Sequence, residues 1–113
     1  MDPDALTRYR EIVRRLIEEY SKTPPSYGDI EAEAVIDASK DHYEVLHVGW
    51  HDQRRIHGIV IHIDIRDGKV WIQHDGTNAV IAEELVEAGI PRNAIVLGFR
   101  PANVRQHTGF AVA

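Results

Sequence analysis

The residues of this chain that could do chemistry are its seven histidines, and the sequence contains no cysteine. His62 and Asp64 stand two positions apart in an apolar run, so on a β-strand they share one face with Cα atoms about 7 Å apart. His47 could reach the same face from a neighbouring strand, and Gln73 could lie opposite His62. Zinc or another divalent ion needs three or four such ligands to converge. Because only His62 and Asp64 securely share a face, the pattern favours a hydrogen-bonded polar surface over a bound metal.

Hydrolytic catalysis is not indicated by the sequence. A nucleophile needs a positioned base, and the three candidate serines lie in predicted loops or turns outside any G-x-S-x-G context. No pair of carboxylates and no glycine-rich phosphate loop is recognisable. We therefore predict a protein without catalytic residues, resident metal or cofactor. The alternative is a small metal- or ligand-binding, enzyme-like domain centred on His62 and Asp64.

The charge balance bears on nucleic-acid binding. Thirteen basic and 18 acidic side chains give a net charge of −5, whereas a lone DNA-binding domain usually carries a basic excess. Direct DNA binding through a local patch stays an alternative. The candidate arginines are Arg54, Arg55, Arg92, Arg100 and Arg105.

Length and composition indicate an ordinary globular protein. The 113 residues, 43% hydrophobic and 27% charged, are enough for one domain with its own core, which we place at residues 1–113. No apolar run approaches the roughly 20 residues that span a bilayer. The first residues lack the basic start and apolar core of a signal peptide. We expect a cytoplasmic protein with no membrane association.

The element that should position His62 and Asp64 is a β-hairpin around Asp67-Gly68. Isoleucines recur at every second position before this pair, and Asp-Gly between alternating segments favours a two-residue type I′ turn. The resulting register pairs Asp64 with Trp71 and His62 with Gln73. One face of the hairpin is then aliphatic. Its members are Ile61, Ile63, Ile65, Val70 and Ile72.

Two further strands, over residues 30–38 and 42–50, should complete an antiparallel meander with the hairpin. Counting back across the turn at 51–53 sets Leu46 near Ile59 and Val48 near His57. This register places Leu46, Val48 and Trp50 on the aliphatic face.

Two helices should cover that face. Apolar residues at spacings of three and four predict an amphipathic helix over residues 4–21, with Asp4 as its cap. A second helix over 78–88 should follow Thr77 as N-cap and end at Gly89, with Ile90 as the hydrophobic contact. Residues 94–99 should be extended. The predicted fold is α+β: a four-stranded antiparallel β-meander with an N-terminal helix and a second short helix packed on one face.

The other face of the sheet is mixed in character and predicts a surface for a protein partner or a second copy. The alternative is that the tail, residues 101–113, folds over it. In either case Trp71 should be well buried. The predicted surface consists of Val35, Tyr43, Val45, His47, Val60, His62, Asp64, Trp71 and Gln73.

Several segments in order along nearly the whole chain resemble the XisI family. They are YREI (9–12), HVGW (47–50), RIHG (55–58), HIDI (62–65), DGKVWIQ (67–73), DGT (75–77), AGIP (88–91), IVLGF (95–99) and RQxTxFAVA (105–113). Asn78 and Gly109 depart from the family pattern, in which we expect acidic residues at these two positions.

The resemblance implies a function and partners. XisI proteins are known as fdxN element excision controlling factors, which implies an accessory role in site-specific DNA excision in cyanobacteria that form heterocysts. It implies a XisH-like partner, an indirect association with a recombinase and DNA, and no catalytic residues. We expect the protein to self-associate, most simply as a dimer.

Overall fold

The hairpin around Asp67 and Gly68 forms as the sequence predicts, with φ of 51° and 76° at these two residues. The computed structural model describes residues 3–113. This hairpin lies at the centre of the fold. The elements are α1 (Pro3–Ser21), β1 (Asp29–Asp37), β2 (His42–His51), β3 (Arg54–Arg66), β4 (Lys69–Asp75), α2 (Ile81–Ala88), a 3-10 turn (Arg92–Ala94), β5 (Ile95–Leu97) and α3 (Ala102–Arg105).

The sheet has five strands in the order β1-β2-β3-β4-β5. The first four form the predicted antiparallel meander, and β5 pairs in parallel with β4. The predicted count of four strands was one short. A three-residue strand is too short to show an alternating pattern, and a parallel pair needs a crossover rather than a recognisable turn.

Each turn of the meander contains an aspartate at positive φ: Asp41 (51°), Asp52 (55°) and Asp67 (51°). Aspartate tolerates the left-handed region better than most residues because its short side chain can bond to the local backbone. These turns keep the connections tight and fix where each strand reverses.

The hydrophobic core lies between one face of the sheet and the two longer helices. The predicted stripe of α1 is confirmed, since Val13 and Ile17 are fully buried and Leu16 is nearly so. The aliphatic residues of the central hairpin meet this stripe from the sheet. Ile81 and Leu85 of α2 complete the core. We call the opposite surface of the sheet the outer face.

A β-bulge between β2 and β3 changes which residues of β2 reach the core. Leu46 pairs with Ile59 as predicted, but Val45 pairs with Ile61 because Val60 is an extra residue in β3. The two faces of β2 are therefore exchanged along the whole strand relative to the prediction. Tyr43 and Val45 are buried in the core, and Leu46, together with the alternate residues beyond it, lies on the outer face.

A second bulge lies between β3 and β4. The predicted pair of Asp64 with Trp71 is confirmed, whereas His62 pairs with His74 and not with Gln73. Gln73 is the extra residue, and its side chain still reaches the outer face, where its amide donates to Asp64.

The two helices begin at other residues than predicted. Asp4 lies in the first turn of α1, which starts at Pro3, and so is not its cap. α2 starts at Ile81, three residues late, because the Thr77 hydroxyl donates instead to the Asp75 carboxylate at 2.6 Å. The other Asp75 oxygen accepts the Ile81 N–H at 3.0 Å and serves the helix start.

The end of α2 is as predicted. Gly89 has φ of 120°, and the Ile90 N–H donates to the Leu85 carbonyl at 3.0 Å. Ile90 is fully buried. This is the arrangement of a glycine-terminated helix with its hydrophobic contact.

Candidate functional site on the outer face

Four titratable side chains meet on the outer face of β2 and β3. The pairing of the strands sets His42 opposite Asp64 and Glu44 opposite His62, and Gln73 approaches from β4. Since residues two apart on a strand share a face, both pairs point the same way. We call His42, Glu44, His62, Asp64 and Gln73 the outer-face cluster.

Asp64 is the buried centre of the cluster, at 4% exposure. One carboxylate oxygen is 2.8 Å from His42 Nδ1. The other accepts from Gln73 Nε2 at 3.2 Å and from Arg66 Nη2 at 3.1 Å. Burial on its own would raise the pKa of Asp64, but the His62 imidazole and the hydrogen bonds from His42 and Gln73 outweigh it and lower that pKa. The carboxylate is therefore held charged in a nearly solvent-free position.

The other members of the cluster are incompletely paired. His42 Nε2 lies 3.4 Å from Glu44 Oε1, and the two imidazole rings are 4.6 Å apart between centroids. His62 Nε2 lies 3.2 Å from Asp64 Oδ2. This buried nitrogen makes this ionic contact but no hydrogen bond. One potential ligand atom each from His42, Glu44 and His62 falls within 4.8 Å of the others.

The sequence predicted part of this cluster but also included His47, which lies elsewhere. His62, Asp64 and Gln73 come together, but His47 faces the helix side opposite Gly58. His42 and Glu44 were missed. Their spacing matches that of His62 and Asp64, but the unrecognised bulge at Val60 assigned them to the wrong face.

His47 instead lines an open groove of about 520 Å³ between the α1–β1 loop and the sheet. Val60 and Tyr20 lie in the same groove. Burial lowers the pKa of His47.

The residues predicted to form one partner surface lie on both faces of the sheet. Tyr43 and Val45 belong to the core, and His47 and Val60 lie on the helix side. On the outer face remain Val35, His62, Asp64, Trp71 and Gln73.

Trp71 is only partly buried, so the expectation of a well-buried tryptophan was wrong. The Arg105 guanidinium lies over its ring, 5.2 Å from the centroid. The tail also reaches β5, where the Ala111 N–H donates to the Ile95 carbonyl at 2.8 Å, and Val96 is fully buried. The tail thus covers the β4–β5 end of the outer face.

The outer face of β2 and β3 beyond the bulge carries an apolar surface. Trp50 is 49% and Ile59 is 44% exposed, and the partly buried Leu46 and Val48 lie beside them. We call Leu46, Val48, Trp50 and Ile59 the apolar strip. It was not predicted, because strict alternation without the bulge at Val60 placed Leu46, Val48 and Trp50 under the helices.

Four of the five candidate DNA-binding arginines, all but Arg54, contact protein groups. Arg92 bonds to Glu83 at 2.7 Å and stacks on Phe110. Arg105 donates to the Arg100 carbonyl. Arg55 lies over Trp50. They do not form a single free basic patch.

No helix among residues 3–113 is both long and apolar enough to cross a bilayer.

Comparison with known proteins agrees with the resemblance in the sequence. The family model described as XisI protein matches residues 2–112. The chain belongs to the XisI family. No curated protein matches it.

Two solved structures of XisI proteins from Anabaena variabilis ATCC 29413 share the fold. One, a XisI-like protein, is 42% identical over 96% of this chain and 99% of its own, with a TM-score of 0.88. The other, described as the fdxN element excision controlling factor XisI, is 34% identical over the same shares, with a TM-score of 0.80. These matches confirm the predicted α+β class. The structure adds a fifth strand to the four that were predicted.

The two departures from the family pattern lie on the surface. Asn78 is exposed at the rim of the groove beside His47. Gly109 has φ of +83° with open space around it, a conformation that favours glycine.

Proposed function

We propose that this chain is a non-enzymatic accessory factor in site-specific excision of a DNA element, acting in the cytoplasm through contacts with other proteins. Family membership and the description of one relative as an excision controlling factor support the excision role. The observation that carries the protein-contact mechanism is the apolar strip. An exposed tryptophan and isoleucine on a rigid sheet are typical of an interface.

The charges beside the strip favour a second copy of the chain as its occupant. On the β1 side Glu31 and Glu33 pair with Val48 and Leu46, and on the β3 side Arg55 pairs with Trp50. Two glutamates therefore lie along one edge of the strip and one arginine along the other. A two-fold axis in the plane of the interface and parallel to the strands sets the glutamates of each copy against Arg55 of the other.

A XisH-like protein is the proposed partner of this dimer, and contact with the recombinase and DNA is indirect. The net charge of −5 and the contacts of four of the five candidate arginines with protein groups support an indirect rather than a direct contact with DNA.

Light scattering on a sizing column tests the proposal, first with this protein alone and then mixed with a XisH-like protein. The wild type should elute as a dimer, and the mixture as a joint peak of defined mass. Ile59→Glu should convert the dimer to a monomer, because the carboxylate would be desolvated at the centre of the interface. Val80→Glu is the matched control, since Val80 is 60% exposed and lies away from the strip.

Circular dichroism should show that both variants stay folded. A Val45 variant is unsuitable because Val45 is fully buried and a charge there would unfold the core. A wild-type monomer, or an Ile59→Glu dimer, would remove the strip from the mechanism. Separate peaks in the mixture would refute the XisH-like partner.

A further inference from the structure

We propose that His42, Glu44 and His62 form a binding site for a divalent transition-metal ion, with Asp64 as the residue that positions His42. The site lies on the outer face and does not depend on the proposed function. It differs from the grouping that the sequence suggested, because His47 is absent from it and Asp64 is not a ligand.

The spacing of the donor atoms suits a metal. Ligands at about 2.0–2.1 Å from a tetrahedral ion lie about 3.3 Å from each other. His42 Nε2 and Glu44 Oε1 are already 3.4 Å apart. All three residues offer an atom within 4.8 Å of the others, so small side-chain rotations bring His62 into the same shell.

The hydrogen bonds of the cluster leave ring nitrogens that can act as ligands of a cation. His42 Nδ1 lies 2.8 Å from an Asp64 carboxylate oxygen, a contact that an N–H on Nδ1 satisfies. In the neutral imidazole, His42 Nε2 then presents a lone pair towards the Glu44 carboxylate. Two acceptors facing each other repel unless a proton or a metal ion lies between them. The buried Nε2 of His62, which makes no hydrogen bond and lies 3.2 Å from Asp64 Oδ2, is a third atom that can bind the ion.

Asp64 is placed to orient His42 as a metal ligand. A histidine ligand commonly donates its second ring N–H to a carboxylate, which fixes the tautomer and the ring orientation. Asp64 does this for His42 and is itself fixed by Gln73 and Arg66.

The ligand types select the class of ion. Two imidazoles and one carboxylate suit zinc and its first-row neighbours, whereas magnesium and calcium prefer oxygen ligands alone. Three protein ligands leave a coordination position for water or for a side chain of a bound partner.

Calorimetric titration of the full chain with zinc chloride, after treatment with chelator, tests the site. The wild type should bind one equivalent. Glu44→Gln and His62→Gln should each abolish this saturable binding. His57→Gln is the matched control: His57 lies on the same strand and face, is exposed, and should leave binding unchanged.

Asp64→Asn separates positioning from ligation. With cobalt(II) as the probe, this variant should keep the wild-type visible spectrum at saturation and bind about 10- to 100-fold more weakly. A purely structural role would lower thermal stability to the same extent with and without metal.

Two results would overturn the proposal. One is the lack of saturable zinc binding by the folded wild type, which would leave the cluster as a hydrogen-bonded network without a metal. The other is unchanged binding in Glu44→Gln and His62→Gln, confirmed as folded by circular dichroism. Glu44→Gln is nearly isosteric and keeps the test valid if a histidine variant does not fold.

Discussion

At the scale of single residues, two glycines in neighbouring strands have opposite surroundings. A Cβ at Gly49 would collide with the Asp29 carbonyl oxygen and would lie 2.7 Å from Ile30 Cα, both backbone atoms of β1. A Cβ at Gly58 would meet nothing within 4 Å. Gly49 therefore permits the close approach of β1 to β2, whereas Gly58 has no such role. The bulge nearest to Gly58 is at Val60.

We expect Gly49→Ala to lower the free energy of unfolding by about 3 kcal/mol, because backbone atoms must move to make room. Gly58→Ala should be neutral or raise it by about 0.5–1 kcal/mol, since glycine is unfavourable inside a strand. Urea denaturation of both variants measures the difference. Equal effects of the two substitutions would contradict this account of β1 packing.

The residue scale also shows where sequence reasoning stops. His62 and Asp64 were recognised because they are adjacent on one strand. Their partners His42 and Glu44 come from another strand, and finding them required the register between the strands. The buried state of Asp64 depends on contacts from three strands and has no local signal.

At the scale of elements, α1 is joined to α2 by one polar contact beside the core. The Tyr20 hydroxyl donates to Glu84 Oε2 at 2.6 Å. Burial raises the pKa of the Tyr20 phenol above its ordinary value of 10.0, and the hydrogen bond to Glu84 raises it further. A raised pKa means that this stabilisation is fully present below pH 10.0 and is lost as the pH rises further.

Tyr20→Phe should therefore lower the free energy of unfolding by about 1 kcal/mol near neutral pH, the low end for a hydrogen bond to a charged group because the pair is partly solvated. Tyr27→Phe is the control, since Tyr27 is 52% exposed, and should change it by less than about 0.5 kcal/mol. Guanidinium denaturation of both variants measures these changes in the free energy of unfolding. A Tyr20→Phe protein as stable as the wild type would show that the contact between the helices is unimportant.

The elements themselves were largely predictable, and the bulges were not. Alternation located β3 and β4, the Asp-Gly pair located their turn, and the spacing of apolar residues located α1. A bulge leaves no trace in alternation when apolar residues stand on both sides of it, as Ile59, Val60 and Ile61 do. That one extra residue exchanged the two faces of β2 and, with Val60 itself, misplaced four of the nine residues of the predicted surface.

At the scale of the whole molecule, the C-terminal tail closes the β5 edge of the sheet. Arg105 is central to this closure: its guanidinium covers Trp71 and donates to the Arg100 and Val112 carbonyls. The sequence indicated that the apolar tail packs on something. It could not indicate where, because the parallel bridge of Val96 with Ala111 joins residues without a shared local pattern.

We expect Arg105→Ala to loosen the tail while the rest of the sheet stays intact, because the arginine is the group that joins α3 to both Trp71 and the chain end. Hydrogen exchange of the Ala111 amide should become faster, and that of the Ile63 amide in β3 should be unchanged. Gln106→Ala is the control, since Gln106 bonds only within its own turn. Unchanged exchange at Ala111 would assign the closure to other contacts.

The parallel pairing of β5 also leads us to expect an order of events during folding. Strands β1 to β4 are joined by short turns, so their contacts are local and form early. β5 can add only after the chain has passed through α2, and the tail only after β5. Until then the hydrogen-bonding groups along one side of β4 stay unpaired, next to the fully buried Val70 and Ile72. A folding chain that stalls before this last step presents an open apolar edge, so slow docking of the last strand exposes this protein to aggregation.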